Sequence, residues 1–272
     1  MKKYIALGVA ALLTVGFVGC SPKEKKEEAK VAEKKVETIY VGTQNDYPPF
    51  CFVDAKGVLS GYDVEVIKTL NEKLPQYKFE FVAGAWDSIF LSLESEKTQI
   101  VADQIAKNAE RTQKYLFSDE SYFRAETVII VKEGDASIKT IDDLVGKNVG
   151  GLVGDSYTQL LEEYNKSHEN KINIKYTDSS AQASIYRDVE SGRLDAYVND
   201  PIMSKANIKE QGLKLKIIEA PLQFDTIALV FKKDARGEAL KKAIDPVLKG
   251  LKADGTLAKL SKKWTDGEYI PQ

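Results

Sequence analysis

Ile39-Tyr40-Val41-Gly42, then Tyr62, Val66, Ile67, Leu70 and Leu74 at helical spacing, then Tyr77-x-Phe79-x-Phe81, is the stretch that decides the fold. The first run predicts a short strand, closed by the turn-prone Asn45-Asp46-Tyr47-Pro48-Pro49. The five apolar positions that follow share one face of a helix. Alternation at Tyr77, Phe79 and Phe81 predicts a strand with one buried side. Trp86–Leu93 reads as a second helix and Ile100–Ile105 as a further strand. Strand and helix in alternation predict an α/β sheet with helices packed on its faces.

A second unit repeats the rhythm. Thr140-x-x-Asp143 can cap a short helix running through Leu144. Strands are expected near Asn148–Val153, Ile172–Tyr176, Asp195–Asn199 and Leu215–Ile218, with helices at Tyr157–Tyr164 and Ser179–Glu190. Two long apolar strands, Thr127–Lys132 and Thr226–Lys232, bracket this unit. Glu238–Lys263 is helical in pattern, with Leu240, Ile244, Leu248 and Leu251 on one side. The simplest assembly is two mixed-sheet α/β lobes: residues 38–128 plus 226–272 form the first, and 129–225 are inserted as the second. Two chain crossings then make a two-strand hinge. The cleft between the lobes is the expected ligand site, since such sites favour domain interfaces.

The N-terminus has a different character. Lys2 and Lys3 precede an apolar run from Ile5 to Val18 that stops at Gly19-Cys20. A membrane-spanning helix needs roughly 20 apolar residues, so this run is short for one. A basic start, a short apolar core and small residues before a cut site describe a secretory signal over residues 1–19. Phe17-Val18-Gly19-Cys20 also resembles a bacterial lipobox, which implies a lipid on Cys20 and anchorage to the outer face of the cell membrane. Residues 20–37 are almost wholly Lys, Glu and Ala, with too little apolar surface to offset chain ordering, and read as a solvated tether.

Composition narrows the function classes. Charged residues make up 29% and the hydrophobic set 43% of the 272 residues, as in ordinary globular proteins. Lys+Arg 39 against Asp+Glu 41 leaves a formal charge of −2, which invites no nucleic acid. With Cys20 lipidated, Cys51 is alone and no intrachain disulfide can form. Cys51 is expected to be a small buried hydrophobe; a thiol near the cleft would instead exchange with a disulfide ligand. His168 stands in a polar stretch with no paired nucleophile or metal cluster, and no phosphate loop, Gly-x-Ser-x-Gly or His-Glu-x-x-His pattern occurs. No metal, no cofactor and no catalytic residue is expected, and the protein is expected to be monomeric.

Three stretches together then look familiar. Tyr47-Pro48-Pro49-Phe50, Gly61-Tyr62-Asp63-Val64-Glu65-Val66 and Ala109-Glu110-Arg111-x5-Phe117-Ser118-Asp119 resemble the polar-amino-acid solute-binding proteins of ABC importers. Gly154-Asp155-Ser156 and Leu194-Asp195-Ala196-x3-Asp200 match two further landmarks, so the resemblance covers residues 38 to 270 in order. It implies a type II periplasmic-binding-protein-like fold, a free amino acid as ligand and the membrane subunits of an ABC importer as partner. It also implies roles for particular residues. Arg111 would bind the ligand α-carboxylate, for which a planar bidentate donor suits better than Lys; its plainer fate is a surface ion pair. Asp200, at a strand end, would take the α-ammonium, and otherwise would be a turn residue. Gly154 and Ser156, with Tyr157 at the start of the helix, would cradle the carboxylate through backbone N–H groups and the Ser hydroxyl. An acid there is unwelcome, so Asp155 is expected to point outward.

Tyr47 and Trp86 match the positions from which the family stacks rings on its substrate, although core packing would also account for Trp86. Within Ala102-Asp103-Gln104-Ile105-Ala106, Gln104 would read a polar side chain and Asp103 would assist the ammonium, with Ala106 a small residue leading to Arg111. This run with Lys107-Asn108 is most like the cystine-binding subgroup, with another polar amino acid such as glutamine as the alternative ligand. Two other classes share the fold. A cleft dehydratase would use Asp103 as its acid, and a sensor module would be fused to a membrane segment, which does not follow here before Gln272.

Overall fold

The computed structural model describes residues 36–169, 171–267 and 269–270. The signal, Cys20 and the tether through residue 35 lie outside the described residues. Two mixed sheets carry the fold. In the first, Glu37–Gln44 runs parallel to Tyr77–Gly84 on one side and to Ile100–Val101 on the other. Val230–Lys232 then lies antiparallel between Ile100–Val101 and Tyr115–Phe117. Glu37–Gln44 is buried throughout from Val41 onward, as a central strand covered on both faces should be. The helix Tyr62–Lys73 packs Tyr62, Val66, Ile67 and Leu70 on one face, in the core that holds Ile100. Trp86–Glu94 covers the other face with Ile89 and Leu93, in the core that holds Val101. The first of these helices begins at Gly61, whose φ of 126° suits only glycine. A Cβ there would meet the Phe50 carbonyl oxygen at 2.2 Å.

The second sheet has the order Asn173–Thr177, Asn148–Leu152, Ala196–Asn199, Phe123–Lys132, Leu215–Ile217. Its first two junctions are parallel and its last two antiparallel. Ser156–Ser167 packs Leu161 against one face, and Gln182–Ser191 packs Ile185, Tyr186 and Val189 against the other. The capping box of Thr140 and Asp143 forms as expected and opens the 3-10 turn Ile141–Leu144. Phe123–Lys132 joins the lobes: Phe123 and Ala125 sit in the first core, Ile129 and Val131 in the second. Gln223–Ile227 makes the return crossing antiparallel to it, from Gln223 opposite Thr127 to Ile227 opposite Phe123. The result is a two-lobed α/β fold with a hinge of two paired strands.

Three elements depart from the expectations. The strand expected over Ile100–Ile105 ends at Val101. Beyond it the chain turns, with Gln104 at φ 51°, because its backbone N–H and side-chain Nε2 donate to the two oxygens of buried Asp63 at 2.8 and 2.6 Å. Thr226–Lys232 is not one strand: the chain leaves the hinge at Ile227 and enters the first sheet at Val230. Between them Leu229 donates its N–H to Ser118 Oγ at 3.0 Å, and Ala228 donates to the Ile105 carbonyl. The C-terminal helical stretch is two helices, Ala235–Ala253 and Thr256–Thr265, parted at left-handed Gly255. Among the described residues no helix is long and apolar enough to cross a membrane, and no cluster of His, Cys, Asp or Glu is placed to hold a metal.

Candidate functional site

A cavity lies where the lobes meet. The first lobe lines it with Gln44, Tyr47, Trp86, Asp103, Gln104 and Arg111. The second supplies Leu152, Asp155, Ser156, Tyr157 and Gln182. The first-lobe residues come from the end of the central strand Glu37–Gln44, the short strand Asp46–Tyr47, the start of the helix Trp86–Glu94, the turn after Val101 and the helix Ala109–Lys114. Ligands of open α/β sheets gather at such strand ends.

Arg111 is 6% exposed. It enters the cavity from the short helix Ala109–Lys114, which Asn108 caps by accepting the Arg111 backbone N–H at 2.8 Å. Nη1 donates to the Ala106 carbonyl at 3.1 Å, and Nη2 reaches across the cleft to the Gly154 carbonyl at 2.9 Å. The guanidinium carbon stands 5.7 Å from the Trp86 ring centroid and 5.6 Å from that of Phe90. No carboxylate forms an ion pair with it among the described residues. Burial draws its pKa below the ordinary value, while the charges of Asp155 and Glu110 act against that shift. A guanidinium stays charged through such a shift and carries five N–H donors, so the cavity presents a buried cation with donors to spare.

On the facing wall the structure corrects the expectation for Asp155. It does not point outward: it is 7% exposed and caps Ser156–Ser167, its Oδ1 accepting the Thr158 N–H at 2.6 Å. Asp is among the best N-caps, and turning toward the helix start satisfies a donor that would otherwise be orphaned. Burial raises its pKa to about 6, and the bonds from Thr158 and the charge of Arg111 hold it from rising further. Ser156 and Tyr157 line the cavity as expected. Gly154 does not line it; its carbonyl anchors Arg111 in place of a backbone N–H facing a ligand.

Asp200 also differs from its expected place. It caps the helix Pro201–Gln211, with Oδ1 accepting the N–H groups of Ile202 and Met203, both at 2.8 Å, and it is not part of the cavity wall. Residues at a strand-to-helix junction face two demands, and here the helix start has claimed one carboxylate oxygen. Its charge still reaches the cavity: Asp200 helps raise the hydroxyl pKa of Tyr157 after burial, and that of Tyr47 after burial and the neighbouring Tyr157. Those two hydroxyls lie 3.4 Å apart across the cleft. Burial lifts Asp200 itself to about 7.

Of the remaining expected residues, Tyr47, Trp86, Asp103 and Gln104 all line the cavity. Trp86 is a cleft wall, its indole N–H donating to the Val153 carbonyl of the other lobe at 3.3 Å. Gln104 has its amide nitrogen engaged by Asp63, so only the rest of that side chain faces a ligand. Ala106 stays out of the wall and supports Arg111 through its carbonyl. Sequence reasoning missed Gln44, Leu152, Gln182 and the ring of Phe90. Gln44 was within reach, as the last residue of a central strand; Gln182 comes from a helix start with no linear signal.

Comparison with known proteins gives this geometry a setting. The model of bacterial extracellular solute-binding proteins, family 3, matches residues 39–267. The L-cystine-binding protein TcyJ of Bacillus subtilis (strain 168) is 32% identical over 265 residues, 96% of each chain. A solved structure concerned with glutathione import via GshT and the cystine ABC importer TcyBC of Streptococcus mutans superposes with a TM-score of 0.78. Its identity is 34%, covering 87% of this chain and 98% of that one. An ancestral arginine-binding protein bound to glutamine follows with a TM-score of 0.73, 32% identity and coverage of 84% and 97%.

Proposed function

The chain belongs to the bacterial extracellular solute-binding proteins of family 3, and from that premise we propose that it holds an amino acid, cystine in the best reading, in the cleft between its lobes and hands it to a membrane ABC importer. The observation that carries the reading is Arg111: a buried guanidinium in a cavity, with no carboxylate bound to it among the described residues and aromatic rings on its flank. Such a group awaits an anion, and the α-carboxylate matches its planar donors.

The first lobe meets the ligand through Arg111, Tyr47 and Trp86. The second then closes with Ser156, Tyr157 and, through its charge, Asp200. Exclusion of water strengthens each charged hydrogen bond, and the closed shape is what the importer subunits distinguish from the empty protein. The lobes divide as 38–128 plus 226–272 and 129–225. The protein works as a monomer held to the membrane by a lipid on Cys20, and it binds without transforming its ligand. Cystine is preferred to glutamine because the Asp103-Gln104 run and TcyJ point the same way.

Isothermal titration with cystine and with glutamine tests this. Cystine is expected to bind more tightly, and Arg111→Ala, shown folded by circular dichroism, to weaken it by about 2–5 kcal/mol. A near-native dissociation constant for that variant removes Arg111 from the site. Heat from glutamine with none from cystine removes the cystine reading.

A further inference from the structure

Asp103 lies in the cavity wall and is 1% exposed. Its two oxygens have opposite surroundings. Oδ1 accepts the Gln44 backbone N–H and the Cys51 thiol, each at 2.8 Å, with the Thr43 hydroxyl at 3.5 Å. Oδ2 is equally buried and has no hydrogen-bond partner among the described residues. Thr43 and Cys51 lie behind the wall and not in it. Asp103 itself is a wall residue, and the partnerless Oδ2 is its one oxygen that receives no donor from the lobe. Buried polar atoms without a partner are rare in folded proteins, and each asks what completes it.

On the reading given above, Arg111 takes the α-carboxylate from within the cavity, and Asp200 serves the α-ammonium through its charge, from outside the wall. Asp103 is a further carboxyl group with nothing to hold. We infer that the ligand carries a second cationic nitrogen, remote from the carboxylate held by Arg111, and that Asp103 Oδ2 receives it. This rests on the amino-acid reading of the cleft and narrows it to diamino acids, of which cystine is one, against neutral amides such as glutamine. Burial, with Asp63 and Asp46 adding to it, raises the Asp103 carboxyl well above the usual carboxylate range.

The test compares two disulfides by titration calorimetry: cystine, and the mixed disulfide of cysteine with 3-mercaptopropionate, which lacks the second ammonium. The wild-type protein is expected to prefer cystine by roughly ten- to hundredfold, the worth of a hydrogen bond to a charged group. Asp103→Asn keeps an oxygen for Gln44 and Cys51 but no longer offers a carboxylate to an ammonium, and is expected to abolish that preference. Equal affinity of the wild-type protein for the two disulfides overturns the inference and leaves the binding function standing. So does equal weakening of both by Asp103→Asn, which would mark Asp103 as a support of the fold. If neither disulfide binds the wild-type protein, the cystine reading fails and the inference falls with it. The wild-type comparison decides even if the variant does not fold.

Discussion

Cys51 has no exposed surface, and its thiol donates to Asp103 Oδ1 at 2.8 Å. Burial first, and the charge of Asp103 second, raise its pKa well above the ordinary thiol value. Disulfide exchange needs the thiolate, so a thiol buried and pushed up in this way is inert toward any disulfide that enters the cavity. Iodoacetamide is expected to leave Cys51 unmodified in native buffer and to alkylate it fully in urea, as read by peptide mass spectrometry. Rapid native alkylation would contradict the buried placement. The sequence offered both a buried hydrophobe and a cleft-side thiol, and the structure combines parts of each: Cys51 packs in the core yet steadies a carboxyl group of the cavity. Nothing in the linear chain joins residue 51 to residue 103, because the contact depends on how the loop after Glu37–Gln44 folds back over the turn after Val101.

The same dependence governs the elements. Tyr62–Lys73 was legible from its apolar spacing, and its start from Gly61, but the role of Asp63 was not. Asp63 sits in the first turn of that helix and holds Gln104 in its left-handed turn, which ends the strand at Val101 and aims the chain toward Asn108 and Arg111. One helix thus sets the geometry of a loop some forty residues later. Gly61→Ala is expected to lower stability by at least about 1–3 kcal/mol, since φ 126° is closed to side chains and the new methyl meets the Phe50 carbonyl. A urea midpoint that falls with an unchanged slope would show this; an unchanged midpoint would mean that the Phe50 loop yields freely. The hinge was legible as two apolar segments. The break at Ala228 and Leu229 was not, because both are apolar and only the change of sheet partner divides the run.

At the scale of the whole molecule the buried carboxyl groups set a pH response. Burial raises Asp63 to about 7, Asp155 to about 6 and Asp200 to about 7. The unfolded chain releases these protons near pH ~4, so between that pH and the raised values the folded chain holds protons the unfolded chain has lost. The stabilisation from these three groups is complete below about pH 4 and is lost as the pH rises through 6 and 7. Carboxylates drawn the other way by hydrogen bonds, such as Asp135 and Asp143, act only below their unfolded values, at about pH 4 and lower. The ligand-free protein is therefore expected to melt higher at pH 5.5 than at pH 7.5 in scanning calorimetry, with Asp200→Asn reducing the difference. A melting point that rises from pH 5.5 to 7.5 would show that these groups are ionised in the folded state.

Periodicity and turn chemistry, both local, determined the order of strands and helices, the two-sheet plan and the approximate crossings of the hinge. The family resemblance pointed to Arg111, Tyr47, Trp86, Ser156 and Tyr157, and all five line the cavity. Only the tertiary structure decided which carboxyl group is free. Asp155, Asp200 and Asp103 each give one oxygen to backbone donors, and of the three only Asp103 has its other oxygen fully buried without a partner among the described residues. A carboxylate has two oxygens and the sequence shows neither, so which donors reach them is settled by contacts between segments far apart in the chain.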